Sequence, residues 1–409
     1  MRLLRGLRPA TVGLLGAICI GSFIDSAILM LLLLSSSAQA VSWWVTAVVL
    51  ANLLPPILLA PALGWLVDRT SARRAWALSL ALSAACAAGI AFVHVPLALV
   101  ALAAVQSVCS VVVSAAVFKV LPHADGMDER SASSAAVGIG SIAGVGAPPL
   151  AALAASAGLD VAFWGCAGLL VVAAALVLRT SAREVQASVA RTPWHEVWLG
   201  TRSIRSLRTI RVFVPVTLGV VVAACMEGVS GVFYLQDVAG GSLGYALLLS
   251  AWAGGSVLGA VLSDWSRFRL GPVACIQLGG LALSAAILVE GLVPSAAVIA
   301  VVFVGGGLGN AVHNVGVRNL VYTEVPAAQQ AQVWTVVGAA ISAAAALGNF
   351  LGTPGLLAPA RSVIVLAGSL GVALVVGTLA WLRVRSLVPR PGLAAAAPSP
   401  FALEDAVEP

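Results

Sequence analysis

Charge is what this sequence has least of. Of its 409 residues only 9% are Asp, Glu, Lys or Arg, and Lys119 is the single lysine. Soluble domains carry about 25% charged residues, so a soluble globular fold is excluded. Cysteine is sparse as well. Cys19, Cys86, Cys109, Cys166, Cys225 and Cys275 all fall inside apolar runs, without C-x-x-C or Cys/His ligand spacing. Neither a disulfide framework nor a zinc site is expected. Catalytic signatures are missing too: there is no P-loop, no G-x-S-x-G and no H-E-x-x-H. The expectation is therefore a protein without cofactor or metal that is not an enzyme.

What is present is hydrocarbon. Hydrophobic residues make up 60% of the chain and the mean hydropathy is +1.05. A spanning helix needs roughly 20 mostly apolar residues. Runs of that kind lie at about 10–34, 43–67, 75–93, 97–119, 133–155, 160–179, 212–235, 244–264, 271–291, 295–317, 333–356 and 362–384. They predict an all-α membrane protein with twelve transmembrane helices. The basic residues test that count. With the amino terminus inside, every arginine and lysine except Arg361 falls on the inner side, as short cytoplasmic loops require. Both termini are then cytoplasmic. The net charge of +6 thus orients the chain in a lipid bilayer and does not announce a nucleic-acid partner. Arg2, Arg5 and Arg8 before an apolar run, with Ala38-Gln39-Ala40 after it, imitate a secretory signal. The run is far longer than the roughly 7–15 residues of a signal core, so an uncleaved first helix is expected.

The chain also repeats itself. At an offset of 196, Leu66, Asp68 and Arg73 meet Leu262, Asp264 and Arg269; at 202, Asp25 meets Glu227; at 204, Gln106 and Pro122 meet Asn310 and Pro326. Six helices plus six form a parallel repeat, whose binding site lies between the halves near the midplane. The predicted organisation is a six-helix bundle over 1–179, a cytoplasmic linker over 180–211, a second bundle over 212–385 and a disordered tail over 386–409. In the linker, Trp194, Val197, Trp198, Ile204 and Leu207 interleave with Arg202, Arg205 and Arg208, the pattern of an interfacial helix.

The densest charged punctuation is Gly64-Trp65-Leu66-Val67-Asp68-Arg69-Thr70-Ser71-Ala72-Arg73-Arg74. The spacing G-x-L-x-D-R-x-x-x-R-R resembles the loop between the second and third helices of the major facilitator superfamily of secondary transporters. The resemblance covers roughly residues 10–385. It implies alternating access, with Asp68 facing the start of helix eleven as a conformational switch. Gly64 would be its close-packing glycine, and Arg69, Arg73 and Arg74 its basic partners. Asp264 and Arg269 would form a weaker copy, because Ala260 and Trp265 replace the glycine and first arginine. Helix five carries Gly140, Gly144, Pro148 and Pro149, which is similar to the glycine-proline motif of the antiporter branches. Close helix packing alone would also account for those glycines.

Asp25 and Glu227 are the acids best placed within the bilayer. An intramembrane carboxylate is expensive and marks function by default. Such a group can load a proton at one face and release it at the other. Asp25 also matches an acid late in helix one of the drug, macrolide and siderophore exporter branch, although Ile24 replaces the usual glycine. Its structural alternative is a carboxylate capped by Ser22 or Ser26. Helix ten carries Asn310, His313 and Asn314 at i, i+3, i+4, one broad face. With Gln106 of helix four, these are the expected substrate-cavity groups, His313 being a proton relay, a substrate ligand or an interhelical hydrogen-bonding residue. The resulting expectation is a monomeric, proton-coupled exporter of small amphiphilic molecules in a bacterial inner membrane. An importer of the same fold, or a receptor or assembly subunit that transports nothing, are the alternatives.

Overall fold

The computed structural model describes residues 9–37, 42–93, 95–121, 129–180, 208–264, 270–325 and 327–387. Every regular element among them is helical. The twelve helices are α1 (Pro9–Ser37), α2 (Trp43–Arg69), α3 (Ala72–Phe92), α4 (Pro96–Val120), α5 (Glu129–Ser156), α6 (Leu159–Arg179), α7 (Arg208–Val238), α8 (Ser242–Asp264), α9 (Pro272–Leu292), α10 (Ala296–Glu324), α11 (Ala327–Leu351) and α12 (Ala360–Leu387). Among the described residues nine are long and apolar enough to cross a membrane, and α2, α5 and α11 contribute shorter apolar stretches. Residues 181–207 of the predicted linker, with most of the expected interfacial helix, and residues 388–409 of the predicted tail lie outside the described residues.

Local chemistry sets the boundaries. Ser71 caps α3, its hydroxyl accepting from the Arg74 amide at 3.3 Å. Pro96 and Pro272 open α4 and α9, where a missing N–H costs nothing. The α7–α8 turn needs Gly240 and Gly241 at φ 73° and 121°, a region other residues avoid. Arg361, the one basic residue on the wrong side of the charge partition, has a local reason to be there. Its guanidinium donates to the carbonyls of Gly291 (2.8 Å) and Leu292 (3.1 Å), closing the C-terminus of α9 where a cation is favoured. Arg73 does the same for α6, donating to the Thr180 carbonyl.

The two sets of six share one packing plan. Helix α1 packs on α5 and α6, α3 on α4 and α6, and α2 on α4; α7 packs on α11 and α12, α9 on α10 and α12, and α8 on α10. The halves meet through α5 against α8 and α2 against α11. In the second half, packing is backbone to backbone. A Cβ on Gly279 would lie 2.5 Å from both the Gly309 carbonyl oxygen and the His313 amide nitrogen. Small residues are what allow membrane helices to approach so closely.

Odd-numbered helices start at one end of the bundle, the near end, and finish at the other, the far end. Contacts between halves close the far end. Ser42 donates to the Pro354 carbonyl at 2.9 Å, and the hydroxyls of Thr46 and Thr353 are 2.7 Å apart. Gln236 donates to the Ser37 hydroxyl at 3.1 Å, and the rings of Trp43 and Phe350 stack tilted at 5.5 Å.

Candidate functional site

Asp25 lies 16 residues into α1, about 24 Å along its axis at 1.5 Å per residue. One other helix supplies its hydrogen-bond partners. Gln106 Nε2 donates to Oδ1 at 3.2 Å, and the Ser110 hydroxyl donates to Oδ2. Both partners sit on α4, one turn apart, so they reach across from the same face. Caps from Ser22 or Ser26, the alternative weighed from the sequence, are not what is seen. Ser26 donates instead to the Ser22 carbonyl at 3.1 Å within α1, the back-bonding habit of a helical serine.

Two cavities meet at this carboxylate. One, about 270 Å³, is lined by Ser22, Ser83, Ser110 and Ser114 among apolar residues of α1, α3, α4 and α6. The other, about 310 Å³, includes Ser26, Asn52, Gln106 and Ser107. Hydroxyls and amides thus ring a single acid. No lysine or arginine is among the described residues lining either space. Gln106 Oε1 is buried without a hydrogen-bond partner. The amide that holds Asp25 therefore also offers a free acceptor, and a buried acceptor is costly to leave unmatched.

The pseudo-equivalent place in the second half is built differently. Glu227 on α7 is half-buried. Asn314 is exposed and donates to Asn310 Oδ1 at 3.2 Å, while Asn310 is half-buried. His313 parts from them. It is 2% exposed, turned to α9, with Nδ1 2.9 Å from the Ile276 carbonyl. Adjacent residues on a helix point about 100° apart, so His313 and Asn314 face different neighbours.

One acid that sequence reading passed over sits on α9, which packs against α7. Glu290 on α9 is fully buried, and neither of its carboxylate oxygens has a hydrogen-bond partner. The signal was present, an acid inside an apolar run, but its place at the run's end made it look like loop punctuation.

On α5, Pro148 and Pro149 sit inside the helix, leaving the carbonyls of Gly144 and Val145 without their intrahelical donors. A Cβ at Gly140 or Gly144 would meet nothing within 4 Å. Close packing is therefore not what occupies these glycines in this conformation. The surroundings of Gly64, the side chains of Asp68, Arg69 and Asp264, and residue Arg269 lie outside the described set, as do the side chains of Gln332, Trp334 and Thr335 near the start of α11. Of that loop, Arg73 is accounted for at the α6 terminus, and Arg74 is exposed.

Comparison with known proteins decides the family. Residues 11–349 match the family model described as Major Facilitator Superfamily. The chain belongs to the major facilitator superfamily. It is a transporter fold and not an enzyme, embedded as a multi-pass protein in a membrane. Among solved structures, it resembles the nucleoside transporter NupG with a TM-score of 0.74 at 14% identity, covering 92% of this chain and 100% of that one. The peptide transporter POT, solved with sulfate, gives 0.73 at 14% identity, with 93% and 95% covered. A bacterial homologue of the human lysosomal transporter Spinster, solved inward-facing and unoccupied, gives 0.67 at 15%, with 92% and 96% covered. At such identities the likeness is one of fold. No curated sequence matches the chain.

Proposed function

We propose that this member of the superfamily is a proton-coupled exporter of small amphiphilic molecules, with Asp25 as the group that carries the proton. The observation that supports it most is the setting of Asp25: a half-buried acid about midway along α1, held by Gln106 and Ser110, where two polar cavities meet. An acid in low dielectric is driven toward its neutral form, while water in the cavities permits exchange. The lining disfavours anionic cargo and suits neutral or cationic molecules that donate hydrogen bonds to Gln106, Asn52 and the serines.

Gln106, Asn310 and Asn314 are the cavity-facing amides in this reading, and Glu227 is the second coupling acid. His313 holds α10 to α9 beside them. Gly140, Gly144, Pro148 and Pro149 give α5 a bendable, uncrowded segment against α8, which fits exchange transport. Gly64, Asp68, Arg69, Arg73 and Arg74, with Asp264 and Arg269, form the near-end switch. Placed with both termini in the cytoplasm of a bacterial cell, the closed far end is the outer one. The protein works as a monomer, since each chain holds both halves of its own site. The NupG and POT structures belong to a nucleoside and a peptide transporter. An importer of polar solutes is therefore the second reading, and the hydroxyl-rich lining favours it.

The test is transport by the purified protein in liposomes, using a panel of cationic, neutral and anionic dyes under an imposed proton gradient. Gradient-driven extrusion of cationic or neutral dyes, abolished in Asp25→Asn with binding retained, is expected. Full uphill transport by Asp25→Asn removes the coupling role, and uptake coupled to inward proton flow selects the importer.

A further inference from the structure

Glu290 has no task in the site described so far, and its surroundings are unusual for an acid. It lies two residues from the far end of α9, at 0% exposure, with both carboxylate oxygens unpartnered. The titratable groups around it can be named element by element. From α7, which packs against α9, come Glu227 and Tyr234, whose hydroxyl donates to the Glu290 main-chain carbonyl at 3.1 Å. From α8 comes Tyr245, which is buried. From α12 comes Arg361, whose guanidinium is engaged by the Gly291 and Leu292 carbonyls. His313 of α10 is bound to the Ile276 carbonyl further along α9. No cation among these pairs with the Glu290 carboxyl.

A fully buried carboxylate with no donor and no cation is not sustainable as an anion beside a second carboxylate. The geometry points to a proton held there. Glu227 differs in one respect that matters: it is half-buried, not sealed. We propose that Glu227 and Glu290 form a proton-holding pair inside the second bundle, distinct from Asp25, with Glu227 the half-buried port and Glu290 the sealed reservoir. In loading, hydronium gives a proton to the Glu227 carboxylate and leaves as water. Glu227 passes that proton to the Glu290 carboxylate and becomes an anion again, so the one charge the loaded pair keeps sits on the half-buried acid. Glu227's part in this rests on the coupling role proposed above; the reservoir itself does not.

Two measurements on the reconstituted full chain test it. Dicyclohexylcarbodiimide adds to protonated carboxyls in apolar surroundings, and peptide mass spectrometry locates the adduct. Labelling of Glu290 in the wild type at near-neutral pH, suppressed at strongly alkaline pH, is expected. Absence of that adduct while Asp25 is labelled in the same sample overturns the proposal. Dye-detected proton uptake after an acid jump supplies the count. Glu290→Gln should take up one proton fewer than wild type, Asp25→Asn one fewer, and the double variant two fewer. Unchanged uptake by a monodisperse Glu290→Gln overturns the reservoir. A loss in Glu290→Gln but none in Asp25→Asn leaves the pair standing and removes the Asp25 assignment. If Glu290→Gln does not fold, the wild-type labelling alone decides.

Discussion

The two halves are joined at the far end by one buried hydroxyl pair whose polarity can be worked out. Thr353 Oγ1 lies 2.8 Å from the Phe350 carbonyl, to which it donates, and 2.7 Å from Thr46 Oγ1. Its single proton is spent on Phe350, so Thr46 must be the donor across the interface. The two threonines are therefore not equivalent. Thr46→Val keeps the shape and removes only the cross-half bond, a net cost of about 0.5–1.5 kcal/mol. Thr353→Val leaves the Thr46 hydroxyl buried with no acceptor, a cost of about 1–3 kcal/mol. Because the bond joins the halves only while the far end is closed, these costs fall on that state. With RT near 0.59 kcal/mol, the far-end-open population should rise roughly two- to twelvefold in Thr46→Val and roughly five- to 150-fold in Thr353→Val. Spin labels at exposed Leu97 on α4 and Leu243 on α8 would report both populations by pulsed dipolar spectroscopy. Equal distributions in wild type and Thr353→Val, or a larger shift in Thr46→Val, would refute the donor assignment and its role in the gate.

Three other outcomes follow from the same geometry. In a background without native cysteines, a thiol at Asn314 should react with a water-soluble maleimide at least tenfold faster than one at His313, and equal rates would put both on one surface. Gly279→Ala should lower thermal stability, because about 1–3 kcal/mol of overpacking exceeds the roughly 1 kcal/mol gained in helix propensity; Gly144→Ala, with open space around it, should raise it. Matched melting shifts in the two variants would contradict the packing account. Asp68→Asn should slow turnover and populate the near-end-open state, which the same spectroscopy reads with labels at that end; unchanged populations would remove Asp68 from the switch.

What was legible in the sequence divides along a physical line. Helix positions were, because twenty apolar residues between charges have few other uses, and the one exception to the charge partition, Arg361, proved to be a helix cap. Asp25 was legible as an acid in hydrocarbon, but its partners were not. Its hydrogen bonds come from α4, 81 and 85 residues away, since periodicity reports which residues share a face and never which helix faces it. The trio on α10 shows the limit of that periodicity: i, i+3 and i+4 span about 100°, wide enough for Asn314 to be exposed while His313 enters the α9 interface. The glycines mislead in a complementary way. Gly140 and Gly144 look like packing residues and touch nothing, whereas Gly279 looks unremarkable and holds two backbones together.

Glu290 completes that argument. Sequence position made it a boundary marker, two residues from the end of its run, and only tertiary structure places α7, α8 and α12 around it. A boundary acid at the lipid surface would be wet and ordinary; the same residue turned inward is sealed. The turn is set by Gly291, where a Cβ would lie 2.7 Å from Val365 and 3.0 Å from its amide nitrogen, and by Arg361 clasping the last carbonyls. Together they pull the end of α9 against α12 and leave the preceding side chain no route to solvent. A larger residue at 291 should therefore do more than destabilise. By parting α9 from α12 it should admit water to Glu290, and in Gly291→Val carbodiimide labelling at near-neutral pH should fall although the acid itself is untouched. Labelling equal to wild type would mean that the seal lies elsewhere.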